Sequence, residues 1–310
     1  MQRVISLLTL IAILLIGSIA PAVAQDSSPE PEPAGDSLLA DLGYPEIHVT
    51  SDGSGHDFPT ELEAGRYRIV LENTGDVEVD LDLVQLPEGI TPDDVNAAFE
   101  EAESSPVFTP PDFFFDMTWN GGVWALPGET RDVVLDLTPG EWWVAFSTWD
   151  LETDEEVASD ETMLTVTGDM PELDEPDGIE IGMIEMDFVV PDTLEAGPQI
   201  WKVVNNGLQV HHIVLMGVPE GTTEDDVMEL VMMFEAGPPA SPEAGATPMM
   251  PAINPEEVTD EWFTPLFSGG QFNLFEVDLE PGTYAMICFM PDPSGTPHVM
   301  LGMIEIFTVA

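Results

Sequence analysis

The sequence predicts an all-β protein of two tandem β-sandwich domains, each with a short helical insertion. Three observations predict it. Blocks of sequence recur once at a constant offset, short alternating or apolar runs are separated by Pro-Gly turn signals, and each half contains one Thr-x-x-Asp helix start. Leu62-Glu-Ala-Gly65 returns as Leu194-Glu-Ala-Gly197, Leu86-Pro-Glu-Gly89 as Val218-Pro-Glu-Gly221, and Thr91-Pro-Asp-Asp-Val95 as Thr223-Glu-Asp-Asp-Val227, all displaced by 132 residues. Leu137-Thr-Pro-Gly140 returns as Leu279-Glu-Pro-Gly282 at a displacement of 142, so the second copy carries a longer insertion. One repetition at this spacing is an internal duplication of a domain and not a short-period solenoid.

The elements follow in chain order. Residues 1–24 hold Arg3, an apolar run from Val4 to Ile16, and Ala22-Val23-Ala24 before Gln25, the layout of a secretory signal peptide. The expected location is outside the cytoplasmic membrane: periplasmic, cell-wall-associated or extracellular. The run is shorter than the roughly 20 apolar residues a spanning helix needs, so no membrane span is expected in the mature chain. Residues 25–44 form an acidic, proline-rich spacer expected to be disordered. Residues 45–168 form the first domain, 169–178 a linker, and 179–310 the second domain.

Strands are expected at Arg66–Glu72, Arg131–Leu137 and Trp142–Phe146, then at Gln199–Val204, Phe272–Leu279, Tyr284–Phe289 and Met303–Val309. Helices start at Thr91 and Thr223, with Met228, Val231 and Met232 on one face of the second. Residues 235–257 read as a long surface loop. Phe113 to Phe115, Trp119, Trp124, Trp142 and Trp143 read as core and interface packing.

Composition excludes whole classes of partner. With 60 acidic against 5 basic residues and a net charge of −55, the chain binds neither nucleic acid nor an anionic membrane surface. Such a charge suits a salty exterior and steers a basic redox partner protein toward it. The single cysteine excludes an internal disulfide framework and a Cys-only zinc or iron–sulfur site. The sequence shows no Ser-His-Asp order, no His-Glu-x-x-His and no glycine-rich phosphate loop. It does not indicate the oligomeric state.

That cysteine, Cys288, lies at a strand end. His298 follows after nine residues and Met303 after four more, while His211 and His212 lie upstream at the start of another strand. One thiolate, imidazoles and a thioether make the ligand set of a blue-copper electron-transfer site. Strand alternation puts His211 and His212 on opposite faces, so only one of them points into the site.

These residues resemble the cupredoxins, the plastocyanin-like type 1 blue copper family. Asn205-Asn206-Gly207 precedes His211 as in that family, Pro281-Gly282-Thr283-Tyr284 precedes Cys288, and His298-x4-Met303 follows, with Gly302 directly before the methionine. The resemblance covers roughly residues 179–310. It implies a Greek-key β-sandwich, cupredoxin-like in each half, and one mononuclear type 1 copper held by His211, Cys288, His298 and Met303. It also prefers Met303 over Met300. The chain departs from the family in its long Cys288–His298 loop and in His212, which stands where the family usually has asparagine.

Under the repeat, Val79, Asp80 and Phe146 occupy the positions of His211, His212 and Cys288, so the first domain is a degenerate copy without metal ligands. His48 and His56 are expected on the surface. Copper enzymes with two such domains need further histidines. This chain has 5 in all, with no His-x-His, and has Ile287 before Cys288, so a carrier of single electrons is expected and not an enzyme. The alternatives are copper storage or delivery, drawing on Met232-Met233 and Met249-Met250, or a metal-free interaction module.

Overall fold

The computed structural model describes residues 37–103, 109–151, 153, 155–236 and 253–310. The expected signal peptide, residues 25–36 of the expected spacer, and Met249-Met250 lie outside the described residues. Short runs, some alternately buried and some buried almost throughout, form sixteen strands among the described residues. In the first half these are β1 (Glu46–Ser51), β2 (Glu61–Glu63), β3 (Gly65–Asn73), β4 (Glu78–Gln85), β5 (Thr118–Ala125), β6 (Thr130–Leu137), β7 (Gly140–Asp150) and β8 (Glu155–Thr167). In the second half they are β9 (Ile179–Ile184), β10 (Asp187–Val189), β11 (Gly197–Asn205), β12 (Val214–Val218), β13 (Thr259–Phe263), β14 (Phe272–Leu279), β15 (Gly282–Ile287) and β16 (Ile304–Val309). Helices α1 (Pro92–Glu103) and α2 (Glu224–Ala236) complete the all-β architecture.

Both helices begin as the sequence predicts. Asp94 accepts the backbone N–H of Thr91 at 3.0 Å, and Asp226 accepts that of Thr223 at 2.9 Å, which satisfies donors a helix start leaves free. On α2 the buried face is Val227, Leu230 and Val231 with Met228 at its edge, whereas Met232 is 44% exposed and departs from the expected face.

The strands pair with one register in both halves. β1 runs parallel to β3 with Ile47 opposite Ile69, and β9 runs parallel to β11 with Ile179 opposite Trp201. Gly65 pairs with Leu137 and Gly197 with Leu279. These pairs differ by the same displacements of 132 and 142 as the sequence repeats. Asn73 and Asn205 make matching bonds. Each side-chain amide donates to two carbonyls, of Val77 and Ala125 or of Gln209 and Phe267, and each Oδ1 accepts the N–H two residues on.

Three sheets result. A five-stranded sheet, β2-β8-β7-β4-β5, covers the first half, and a four-stranded sheet, β13-β12-β15-β16, covers the second. The third sheet belongs to both halves: β1-β3-β6-β14-β11-β9-β10, joined where Leu135 and Val134 pair with Asn273 and Leu274. One apolar core consequently runs through both halves, from Phe99 and Trp119 to Trp201 and Phe307.

The outer face of the shared sheet carries three of the chain's few cations. Arg66 meets Asp136 at 2.7 Å, Arg68 meets Asp132 at 2.5 Å and Glu46 at 2.7 Å, and Lys202 pairs with Glu175 and Glu180. Arg66 also donates to the carbonyl of Asp174, so the linker is strapped to this face. Residues 37–44 depart from the expected spacer. Leu39 is fully buried against Val134 and Leu274, and Glu276 accepts the N–H of Leu38. The apolar pair Leu38-Leu39 explains this, since it has a hydrophobic seam between the two halves to fill.

Candidate metal centre

His211, Cys288 and His298 lie with their ligand atoms all within 4.8 Å of one another, the one such cluster of three metal-ligating side chains among the described residues. Each is fully buried. The Cys288 Sγ is 3.8 Å from His211 Nδ1 and 3.5 Å from His298 Nδ1, and the two Nδ1 atoms are 3.0 Å apart.

His211 enters from the residues before β12. Its N–H and C=O both pair with Phe267, at 3.0 and 2.9 Å, and Phe267 in turn bridges to Asn120 of β5. The first half therefore braces this residue from behind. Asn273 of β14 adds to the same seam by donating to the carbonyl of Asn120 and accepting the N–H of Gly122. A side chain on Gly121, whose φ is +71°, would meet the Asn273 oxygen at 2.1 Å, so glycine is required there.

Cys288 follows β15 directly. The long loop after it is a closed hairpin. The N–H of Val299 donates to the carbonyl of Cys288 at 2.7 Å, and that of His298 to Met290 at 2.8 Å. Asp292 gathers the tip by accepting the N–H groups of Ser294 and Thr296. These bonds return His298 to Cys288 despite the nine residues between. A 3-10 turn, His298–Leu301, then ends on Gly302 at φ +97°, and the Met303 N–H donates to the carbonyl of His298 at 3.0 Å. Met303 is fully buried in the same core cluster as Cys288, whereas Met300 is 37% exposed.

A second partner orients the His298 imidazole. Nε2 of His298 lies 3.1 Å from the Gln209 side-chain oxygen, which fixes the proton on Nε2 and leaves the Nδ1 lone pair facing the cluster. Nε2 of His211 has no hydrogen bond and faces the Glu185 carboxylate at 4.0 Å. Burial opposes ionisation of Glu185, but the donated N–H groups of Leu208 and Gln209 outweigh it and hold the carboxyl below its ordinary range. His212 points away from the cluster, and its Nε2 accepts the N–H of Phe289 at 2.9 Å, tying the start of β12 to the residue after Cys288. His212 is thus a polar tie between the two ligand segments.

The electrostatics suit a soft cation. Burial pulls His211 and His298 down to about 4. The two Nδ1 atoms face each other at 3.0 Å, where one neutral imidazole can donate its proton to the other or a metal ion can take both lone pairs. Burial pushes the Cys288 thiol up to about 12, although the backbone N–H groups of His212 and Met290 are directed to the sulfur and favour its anion. A sulfur and two imidazole nitrogens in a dry site fit copper.

The first half has no equivalent cluster among its described residues. Val79 and Phe146 are core residues, and Asp80 is buried. His56 departs from the surface position expected of it. Its side chain is fully enclosed, stacked on Phe146 at 4.7 Å, with Nε2 3.2 Å from the Thr162 hydroxyl and Nδ1 3.4 Å from Asp160. His48 is exposed. Gln209, Glu185 and Phe267 surround the candidate centre without any individual sequence signal, whereas the Asn73/Asn205 pair could have been found from the repeat alone.

No family model matches the chain, and no curated protein matches it. Among solved structures, it is similar to auracyanin A of Chloroflexus aurantiacus, described as a "blue" copper protein, with 23% identity over 44% of this chain and 100% of that one, TM-score 0.27. It is similar to the reduced auracyanin of Roseiflexus castenholzii at 23% identity over 42% and 94% of the two chains, TM-score 0.26. A copper-containing nitrite reductase from Thermus scotoductus aligns at 12% identity over 86% of this chain and 61% of that one, TM-score 0.22. Identities and scores this low carry no chemistry across, so the chemistry comes from His211, Cys288 and His298 themselves. No helix among the described residues is long and apolar enough to cross a membrane.

Proposed function

We propose that the chain is an exported blue-copper protein that carries single electrons at one mononuclear type 1 site. The observation behind this reading is the convergence of His211 Nδ1, His298 Nδ1 and Cys288 Sγ in a fully buried cluster. Copper held there would supply a one-electron Cu(I)/Cu(II) couple, with thiolate sulfur suiting the reduced ion and the imidazoles both states. The residues do the rest. Gln209 fixes the His298 imidazole, the main-chain pairing with Phe267 holds His211, His212 ties the Cys288 segment, and burial excludes water, so the cage changes little between oxidation states. Met303 is proposed as a fourth residue that would hold the ion, because the turn closed by Gly302 ties its N–H to the carbonyl of His298.

The proposed origin is an internal duplication in which only the second copy holds metal. The first copy acts as a brace through Asn120 and Phe267. A catalytic role is not proposed, since a second copper would need histidines beyond His211 and His298, while His212 is committed to Phe289 and His56 to the first half. The proposed redox partner is basic, steered by the acidic surface.

Proton linkage follows from the values above. Between about 4, where the imidazoles lose their protons, and about 12, where the thiol does, copper capture releases one proton from Cys288. Apparent affinity therefore rises about tenfold per pH unit across neutrality. Below about 4 the slope steepens, because the imidazoles must also give up protons. Calorimetry in buffers of different ionisation enthalpy reads the proton count directly. Reversible one-electron cycling of the loaded chain tests the carrier reading. Tight Cu(I) binding without such cycling would favour storage or delivery instead.

A further inference from the structure

The first half has a cavity of about 280 Å³ between α1 and the outer face of the five-stranded sheet, lined by Asp82, Trp119, Trp143, Phe146, Asp160 and Glu161. Its counterpart in the second half is filled. Asp82, Ala145 and Glu161 are cross-strand neighbours on β4, β7 and β8, and the same row on β12, β15 and β16 is Val214, Ile287 and Ile304. Met228 of α2 packs against the apolar cluster there, and the corresponding residue of α1, lining the cavity, is Asn96. At equivalent positions one half has apolar packing and the other has carboxylates, an amide and space.

Two buried polar groups in this cavity have no partner. Asp82 is 7% exposed and has neither a hydrogen bond nor a cation beside it among the described residues. Trp119 is 3% exposed, with its indole N–H unpaired. Burial raises the Asp82 carboxyl to about 7, so the carboxylate lacks the positive charge that would stabilise it. Trp143 is held in place by its N–H bond to Glu161 at 3.1 Å. The acidic side chains do not form a compact chelating group, since the one cluster of three ligand atoms within 4.8 Å is that of His211, Cys288 and His298. A small hard metal ion is therefore poorly matched. A bulky cation that presents methyl groups to aromatic rings is well matched.

We propose that this cavity binds a small alkylated ammonium compound that also carries an oxygen acceptor. Asp82 is the counter-charge, Trp119 and Trp143 form the aromatic lining, and the indole N–H of Trp119 donates to the ligand oxygen. The test is calorimetric titration of the full chain with choline, tetramethylammonium and the neutral isostere 3,3-dimethyl-1-butanol, at constant ionic strength set with sodium chloride.

Saturable binding at one choline per chain is expected, with tetramethylammonium weaker and the neutral alcohol weaker than choline by about tenfold or more. Asp82→Asn should reduce choline affinity by a similar factor, and Trp119→Phe should bring choline down to the level of tetramethylammonium. Circular dichroism of each variant establishes that it is folded. No saturable response to choline beyond that of sodium chloride would overturn the proposal. So would equal binding of the neutral alcohol, choline affinity unchanged in the folded Asp82→Asn variant, or stoichiometric displacement of choline by calcium.

Discussion

Cys288→Ser is expected to abolish the visible thiolate-to-copper absorption completely while leaving the fold intact. Serine matches the shape of cysteine, and its oxygen can accept the N–H groups of His212 and Met290 now directed at the sulfur. The metal-free variant should therefore stay within about 1–2 kcal/mol of the parent in denaturant melts. Copper affinity should fall by more than the roughly 100-fold typical of losing an outer-shell partner, because a soft ligand itself has gone. The surviving pair of imidazoles, 3.0 Å apart at Nδ1, could still hold copper weakly and without strong colour. Absorption and affinity titrations measure both effects. A folded variant that kept the band would mean that the metal sits elsewhere.

Phe267→Ala is expected to destabilise the whole chain by about 3–5 kcal/mol, as emptying a large aromatic site in a core does. Phe267 is fully buried, packs on Phe275, pairs with His211 through both main-chain groups and bridges to Asn120. Its ring belongs to a core shared by both halves, and β6 pairs with β14 across the same boundary. The unfolding midpoint of tryptophans in both halves should move together, and the copper absorption should broaden as His211 loosens. A loss confined to the second half, or one below about 1 kcal/mol, would contradict the brace assigned to the first half.

The proposed ligand residues were legible because their chemistry and spacing are both local. Cys288, His298 and Met303 fall within sixteen residues, and a unique thiol draws the eye. The choice between His211 and His212 needed the family resemblance, and the structure separates them by giving His212 a partner in Phe289. The all-β class was visible in alternation and turns, and the helix starts in Thr91 and Thr223. The shared seven-stranded sheet was not, because β6 and β14 meet through pairings 138 and 140 residues apart, at Leu135–Asn273 and Val134–Leu274, which no local pattern encodes.

His56 was misplaced for a related reason. Its burial depends on stacking against Phe146, ninety residues away in sequence. The cavity was hidden too. Glu78-Val-Asp-Leu-Asp-Leu83 reads as a strand with a solvated acidic face, until α1 folds over that face and buries Asp82. Much of the charge is solvated, including Glu175 and Glu180 on Lys202, but part of it is covered against Arg66 and Arg68, at Asp136 and Asp132, or left unpaired at Asp82.

The most direct measurement is a Cu(II) titration of the metal-free chain, followed by visible absorption and then by chemical reduction and reoxidation. A strong band should grow and saturate at one copper per chain, disappear on one-electron reduction, and return in full on reoxidation. If copper bound without that band, or if no copper bound at all, the account of His211, Cys288 and His298 as an electron-carrying site would be contradicted.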